Sequence, residues 1–302
     1  MAPSRQLAVV GAGLMGGALA QLFSAAGWTV RVSDPDAGAL ARLPDGVTGH
    51  LEMAKAVADA DFVIEAAPEK PALKQSIFVQ LAALTGPQCV LATNSSVIPV
   101  GTVTTLVDDL NAQRIVGTHF WNPPELIPLV EVIQGPRTGL AAIETALAIL
   151  RGVGKQAVHV RRDVVPGNRL QHALWREAMA LVDEGVCTPE DVDTIIKNSF
   201  GLRLAVLGPL ENADLVGLEL TADIHKVVLP QLSRATEPAA GLLERLQSGA
   251  RGIASGAGFY SGWTEAKVAA LRARLVAHVS ELLRQRRASG ADREVASSPR
   301  TA

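Results

Sequence analysis

His119 is the residue through which this chain could do chemistry. It stands in Gly117-Thr118-His119-Phe120-Trp121-Asn122-Pro123-Pro124, and Val130-Glu131-Val132 follows. A carboxylate twelve residues on (131 − 119) can hold an imidazole in one tautomer and stabilise its charged form. That equipment suits removal of a hydroxyl proton while a hydride leaves the same carbon. On its own the pair reads equally well as a catalyst or as a histidine satisfied inside a core.

Hydride chemistry needs an acceptor, and the N-terminus offers a place for one. Gly11-Ala12-Gly13-Leu14-Met15-Gly16 spells G-x-G-x-x-G between an apolar run, Leu7 to Val10, and an Ala/Leu-rich helical stretch, Leu14 to Ala26, closed by Gly27. Asp34 follows the next strand, Trp28 to Val32, eighteen positions after Gly16 (34 − 16). This context marks a dinucleotide-binding Rossmann unit. Gly11 allows the tight turn, Gly13 lets a pyrophosphate approach the backbone, and Gly16 lets the helix pack on the sheet. The helix start offers free N–H groups and the positive end of a dipole. Asp34 would take the ribose hydroxyls and repel a 2′-phosphate, favouring NAD. Arg31 is close in sequence, but strand alternation leaves its direction open.

Two more segments stand at the ends of expected strands, where ligands of a parallel sheet bind. Glu65-Ala66-Ala67-Pro68-Glu69 ends one; Ala66 and Ala67 can line the cofactor, or the loop can merely end a strand. Asn94-Ser95-Ser96 ends another. Its serine is either a cap for the following turn or a hydroxyl offered to the substrate oxygen. The cofactor set is thus Gly11, Gly13, Leu14, Met15, Gly16, Asp34, Ala66, Ala67 and Asn94.

The elements that must position these residues follow from the patterning. Phe62–Ala66, Cys89–Ala92 and Ile115–Gly117 are buried-strand patterns, separated by helical ones at Pro71–Leu84 and Val100–Leu106. Alternating strands and helices imply a doubly wound parallel sheet covered on both faces. Asn122-Pro123-Pro124 cannot continue a strand. The chain should reverse there and lay Ile127–Ile133, with Glu131, beside His119. From Pro166 on, Arg169–Glu184, Pro189–Asn198 and much of Leu210–Leu283 read as helices, with Thr188 as an N-cap and Pro189 at the first helical position. We expect α/β architecture: a Rossmann domain over 1–165, an all-α domain over 166–285, and a disordered Arg/Ser/Ala-rich tail over 286–302.

Composition narrows the partners. The chain has 302 residues, 48% of them hydrophobic, and a net charge of −2. That gives no basic surface for nucleic acid or anionic membrane. Cys89 and Cys187 lack metal-ligand spacing, so we expect no metal and a reduced, cytoplasmic setting. No secretory leader or membrane-length apolar run is expected. The partner expected is a small-molecule substrate.

Together the motifs resemble the L-3-hydroxyacyl-CoA dehydrogenase family. Gly11–Gly16 with Met15, Asp34, Glu65–Glu69, Asn94-Ser95-Ser96, His119–Pro123, Val130–Val132 and Asn168-Arg169-Leu170 come in that family's order. The resemblance implies His119 as general base with Glu131 as its partner. It implies Ser95 and Asn168 as hydrogen-bond partners of the reacting oxygen and the substrate carbonyl, and Glu69 and Lys74 near the cofactor. It also implies a homodimer paired through the helical domain.

The chain departs from the family pattern in two places. The Lys-rich helical arm that contacts CoA in family members is missing: positions 35 to 64 separate Asp34 from Glu65, and Lys55 is their only lysine. Trp121–Glu131 and Gly201–Glu211 resemble instead the branch acting on free hydroxy acids, the gulonate and carnitine dehydrogenases. At the hinge, Pro166-Gly167-Asn168-Arg169 lacks three residues of the family's P-G-F-x-x-N-R. This would put Asn168 at the helix start rather than one turn inside it. Glu125 is either a surface residue or a charge that favours a cationic substrate. Two other functions remain: a β-hydroxyacid or imine reductase using Lys197, and a silent NAD-binding protein of the same fold.

Overall fold

The computed structural model describes residues 5–289. Its first part runs β1 (Gln6–Val10), α1 (Leu14–Ala25), β2 (Thr29–Ser33), α2 (Ala37–Leu40), β3 (Thr48–His50), α3 (Met53–Val57), β4 (Phe62–Glu65), α4 (Pro71–Leu84) and β5 (Val90–Thr93). It continues with α5 (Val100–Val103), α6 (Asp109–Ala112), β6 (Ile115–Phe120), β7 (Leu129–Ile133), α7 (Leu140–Gly152) and β8 (Gln156–Val160). The eight strands make one sheet in the order 3-2-1-4-5-6-7-8. Strand order reverses at β1/β4, the switch point at which a crevice opens beyond the strand ends.

The sheet is not wholly parallel. β1 to β6 are, but β7 runs antiparallel to β6, and β8 runs parallel to β7. The expected doubly wound parallel sheet stands for β1 to β6, and the reversal expected at Asn122–Pro124 makes the antiparallel β6–β7 edge. β6 and β7 are joined by a short connection rather than a crossover helix, and a short connection can only reverse the chain.

Alternation along the strands builds a core on each face. Leu7 and Val9 of β1 pack with Phe23 of α1 and Ile143, Ala146 and Leu150 of α7. Ala8 and Val10 pack with Ile77, Phe78 and Leu81 of α4 and Val103 of α5. Phe23 meets Trp28 edge to face, with ring centroids 5.3 Å apart. Burying side chains of this size contributes roughly 1.5–3 kcal/mol each.

The second part is helical: α8 (Pro166–Asp183), α9 (Pro189–Asn198), α10 (Phe200–Arg203), α11 (Pro209–Val216), α12 (Leu218–Val228), α13 (Ala240–Gln247) and α14 (Glu265–Ser289). Thr188 closes a capping box with Asp191 at the start of α9, next to Pro189. Contacts divide the chain into two units. One runs to Pro166 and includes the C-terminal segment from His278; the other is Gly167–Ala277. In the second unit, Val192 and Val268 are the buried large apolar side chains among the described residues.

The expected tail is corrected at its start. α14 continues through 286–289, and Glu281 ties Arg284 and Gln285 along its surface. The remainder of the expected tail, 290–302, lies outside the described residues.

Candidate active site

The glycine turn after β1 is crowded on one side and open on the other. Gly11 has φ +105°, and a Cβ there would sit 2.7 Å from the Ala66 carbonyl oxygen. A Cβ on Gly16 would sit 1.8 Å from the Gly11 carbonyl oxygen. These two glycines are fixed by the protein's own packing. Gly13 differs: a Cβ there would meet nothing within 4 Å. Gly13 also caps α1 without any side-chain hydrogen bond, and Leu14 beside it is exposed while Met15 packs into the core. A bare helix start facing free space fits a pyrophosphate.

Asp34 stands at the end of β2 and grips this turn. Its carboxylate accepts from Ala12 N at 2.7 Å and from Asp36 N at 2.8 Å. A carboxylate has further lone pairs for ribose hydroxyls. Arg31 turns elsewhere, donating to the Ala58 carbonyl at 2.7 Å, so it is not paired with Asp34.

Below the 65–69 turn lies a buried ion pair. Lys74 Nζ is 2.6 Å from Glu65 Oε1, and both side chains are buried. Glu65 also accepts from Ala67 N and from the Thr93 hydroxyl, each at 2.7 Å. Lys74 adds a hydrogen bond to the Ala67 carbonyl at 3.0 Å. The resemblance implied a lysine near the cofactor. Lys74 has almost no free surface, and it holds the turn that carries Ala66, Ala67 and Glu69. Thr93 was not singled out in the sequence, because a threonine closing a buried strand carries no signal of its own.

Ser95 is engaged within its own turn and with Glu69. Its Oγ accepts from Ile98 N at 2.8 Å, as a turn cap does, and donates to Glu69 Oε2 at 2.7 Å. Glu69 also accepts from Ser96 N at 3.0 Å. Asn94 bridges strand ends, donating through its N–H to the Glu65 carbonyl and accepting from Phe120 N through Oδ1.

His119 and Glu131 face each other in register across β6 and β7. His119 Nδ1 is 2.8 Å from Glu131 Oε2, and both side chains are buried. An ionised carboxylate only accepts, so Nδ1 carries the proton and Nε2 is left with its lone pair. Trp121 packs edge-on against His119, with centroids 5.4 Å apart. The buried indole N–H of Trp121 has no hydrogen-bond partner.

The connection after His119 is held from below. Lys155, buried just before β8, donates to the Pro124 and Ile127 carbonyls. Its ammonium pKa is lowered, chiefly by burial. Glu125 is exposed and lines a hollow of about 430 Å³ with Lys155, Arg284 and Arg287. Asp163, in the segment leading to α8, accepts from Val100 N and Gly101 N at 2.7 Å each. Sequence reading missed Lys155 and Asp163. Neither carries a signal of its own in the sequence, because the groups each one holds lie far away along the chain.

Asn168 is the third residue of α8, in its first turn, as the shortened hinge requires. It belongs to the second unit. Lys197 is exposed and paired with Asp193 at 2.8 Å along α9. No group of three His, Cys, Asp or Glu side chains among the described residues could hold a metal. No described helix is long and apolar enough to cross a membrane.

Two family models divide this chain between them. The NAD-binding domain of 3-hydroxyacyl-CoA dehydrogenase matches residues 6–55 and 44–164, and that family's C-terminal domain matches 166–262. The chain belongs to the 3-hydroxyacyl-CoA dehydrogenase family. It is an NAD-dependent oxidoreductase of that type. Among its relatives is the 5-formyl-3-hydroxy-2-methylpyridine 4-carboxylate 5-dehydrogenase of Mesorhizobium japonicum, 31% identical over 89% of this chain and 94% of the relative. An L-carnitine dehydrogenase of Streptomyces coelicolor is 39% identical over 71% of this chain and 74% of its own. A crystal structure of the pyridine-carboxylate enzyme, described as an NAD+ dependent dismutase, superposes with TM-score 0.86 at 30% identity. It covers 95% of this chain and 99% of that one.

Proposed function

We propose that this enzyme interconverts a small free L-3-hydroxy acid and its 3-oxo form, with His119 as general base and Glu131 as its partner. The observation that carries the reading is the buried His119–Glu131 contact of 2.8 Å, fixed by cross-strand register. NAD, when bound, supplies the hydride acceptor. The chain's own part is the proton. Neutral His119 takes the hydroxyl proton on Nε2 while Nδ1–H stays on Glu131. The resulting imidazolium rests against that carboxylate and returns the proton in the reverse direction. Because the overall oxidation releases a proton, alkaline pH favours it and neutral pH favours ketone reduction.

A free acid is preferred to a CoA thioester on two grounds. The span between Asp34 and Glu65 holds α2, β3 and α3, all short, with no arm to meet a CoA moiety. The pyridine-carboxylate and carnitine dehydrogenases named above act, by their names, on free acids. The thioester is the second reading, supported by the family description and by a 3-hydroxyadipyl-CoA dehydrogenase of Escherichia coli, 32% identical over 71% of this chain. Ser95 and Asn168 are the proposed partners of the substrate oxygens. Lys197 as the catalyst of an imine reductase is disfavoured by its exposed pairing with Asp193.

The same proposal includes a homodimer through the helical unit. Its apolar side chains, among them Leu202, Val206, Leu210 and Leu215, are largely exposed in one chain. A second copy is the occupant that would cover them.

The deciding experiment is a panel of L-carnitine, gulonate, short free 3-hydroxy acids, 5-formyl-3-hydroxy-2-methylpyridine 4-carboxylate and 3-hydroxybutyryl-CoA, followed by NADH absorbance. Turnover of a free hydroxy acid is expected. Turnover of the thioester alone would reverse the substrate assignment. Nicotinamide binding without turnover of any member would favour the silent protein.

A further inference from the structure

We propose that Lys155 is a positioning residue of the active site, holding the β6–β7 connection that sets the His119–Glu131 pair. The inference rests on the reading of that pair as the catalytic base.

The connection, 121–128, contains Pro123, Pro124 and Pro128, which have no N–H to give. Within it, Leu126 N and Ile127 N both donate to one acceptor, the Pro123 carbonyl. No backbone N–H among the described residues reaches the Pro124 or Ile127 carbonyl. Lys155 Nζ supplies the donors for both. The next residue extends the hold, since Gln156 N donates to the Pro128 carbonyl at 2.9 Å.

Lys155 is itself well anchored. Gly154 turns the chain with φ +83°, and Lys155 N donates to Leu150 O at the end of α7. Its ammonium is buried; two carbonyls accept from it, and the Glu125 carboxylate offsets part of the burial from across the hollow. Burying a cation is costly, so the hold on the connection comes with a penalty that a neutral side chain would avoid. The connection begins two residues after His119 and ends three before Glu131. Its first residue is Trp121, whose ring packs on His119. Freeing 124 and 127 leaves Pro128 as the one anchored end. Movement would then pass through Trp121 to the imidazole.

The test compares Lys155→Met, Lys155→Gln and Lys155→Arg with the unaltered enzyme and with His119→Ala. Hydrogen exchange over 121–128, read by mass spectrometry, needs no substrate. Lys155→Met should lose protection there, and Lys155→Arg should keep it. NADH affinity, read by fluorescence, should stay within about twofold in all variants. With the members of the panel above that turn over, hydride transfer in single turnovers should fall about 10- to 100-fold in Lys155→Met. KM should change little, and the isotope effect with C4-deuterated NADH should grow. Lys155→Arg should recover most of the rate. A merely structural lysine would lower the melting temperature and leave the isotope effect unchanged. If Lys155→Met does not fold, Lys155→Gln carries the same comparison. Unchanged exchange over 121–128 and a rate within threefold of the parent, with His119→Ala inactive, would overturn the brace and leave the base standing. A His119→Ala enzyme near parental activity would instead remove the base reading.

Discussion

The two units solve the same problem of burial in opposite ways. The Rossmann unit buries Phe23, Phe62, Phe78, Leu19 and Leu91 almost completely, on both faces of one sheet. The helical unit leaves Val206 88% and Leu210 81% exposed. One half carries its own core, whereas the other presents apolar helices and few buried side chains. The difference locates precision in the molecule. The cofactor cradle, the Glu65–Lys74 pair and the His119–Glu131 pair are all in the unit that carries its own core. The helical unit is the one for which we propose cover by a second copy.

The largest effect should come from uncovering it. Val206→Asp with Leu210→Asp should convert a dimer to a monomer in analytical ultracentrifugation. Amides of α8–α12 should then lose exchange protection while those of β1–β6 keep it. A monomeric parent enzyme would break the comparison. Next comes Lys74→Met, which strands the Glu65 carboxylate and should cost about 3–5 kcal/mol in urea unfolding. Leu91→Ala should cost about 2–5 kcal/mol, and that loss should not depend on protein concentration. The smallest effect concerns Cys89, whose thiol pKa burial pushes up to about 12. A thiol acid with a raised folded pKa contributes stability below its unfolded value, about 9. That contribution is lost as pH rises from there toward 12. At pH 8.5 Cys187 should therefore react with iodoacetamide well before Cys89, read by mass spectrometry of the labelled peptides.

The same contrast explains what could be read from the sequence. α4 and α9 were legible to the residue, because Pro71 and Pro189 mark their starts. The glycine turn and Asp34 were legible because a nucleotide site constrains residue type and spacing together. The reversal at Asn122–Pro124 predicted a reversed segment with Glu131 beside His119, yet not that β8 would follow it against the sheet. Polar, short β3 and the mixed pattern of β8, Gln156–Val160, gave no strand signal. The holding contacts of Lys155, Asp163 and Thr93 were invisible, since each joins residues distant in sequence. The helices of the second unit were legible as helices, but their apolar residues alone fit a monomer core as well as a dimer seam, because composition does not say which chain buries them. The helix expected from Arg169 begins three residues earlier, at Pro166, which makes Asn168 the third residue of α8.

One measurement bears most directly on the paired imidazole. In His119→Ala, NADH binding should persist and single-turnover hydride transfer should fall by about two to four orders of magnitude. A variant that binds NADH and transfers hydride within a few-fold of the parent enzyme would contradict the account.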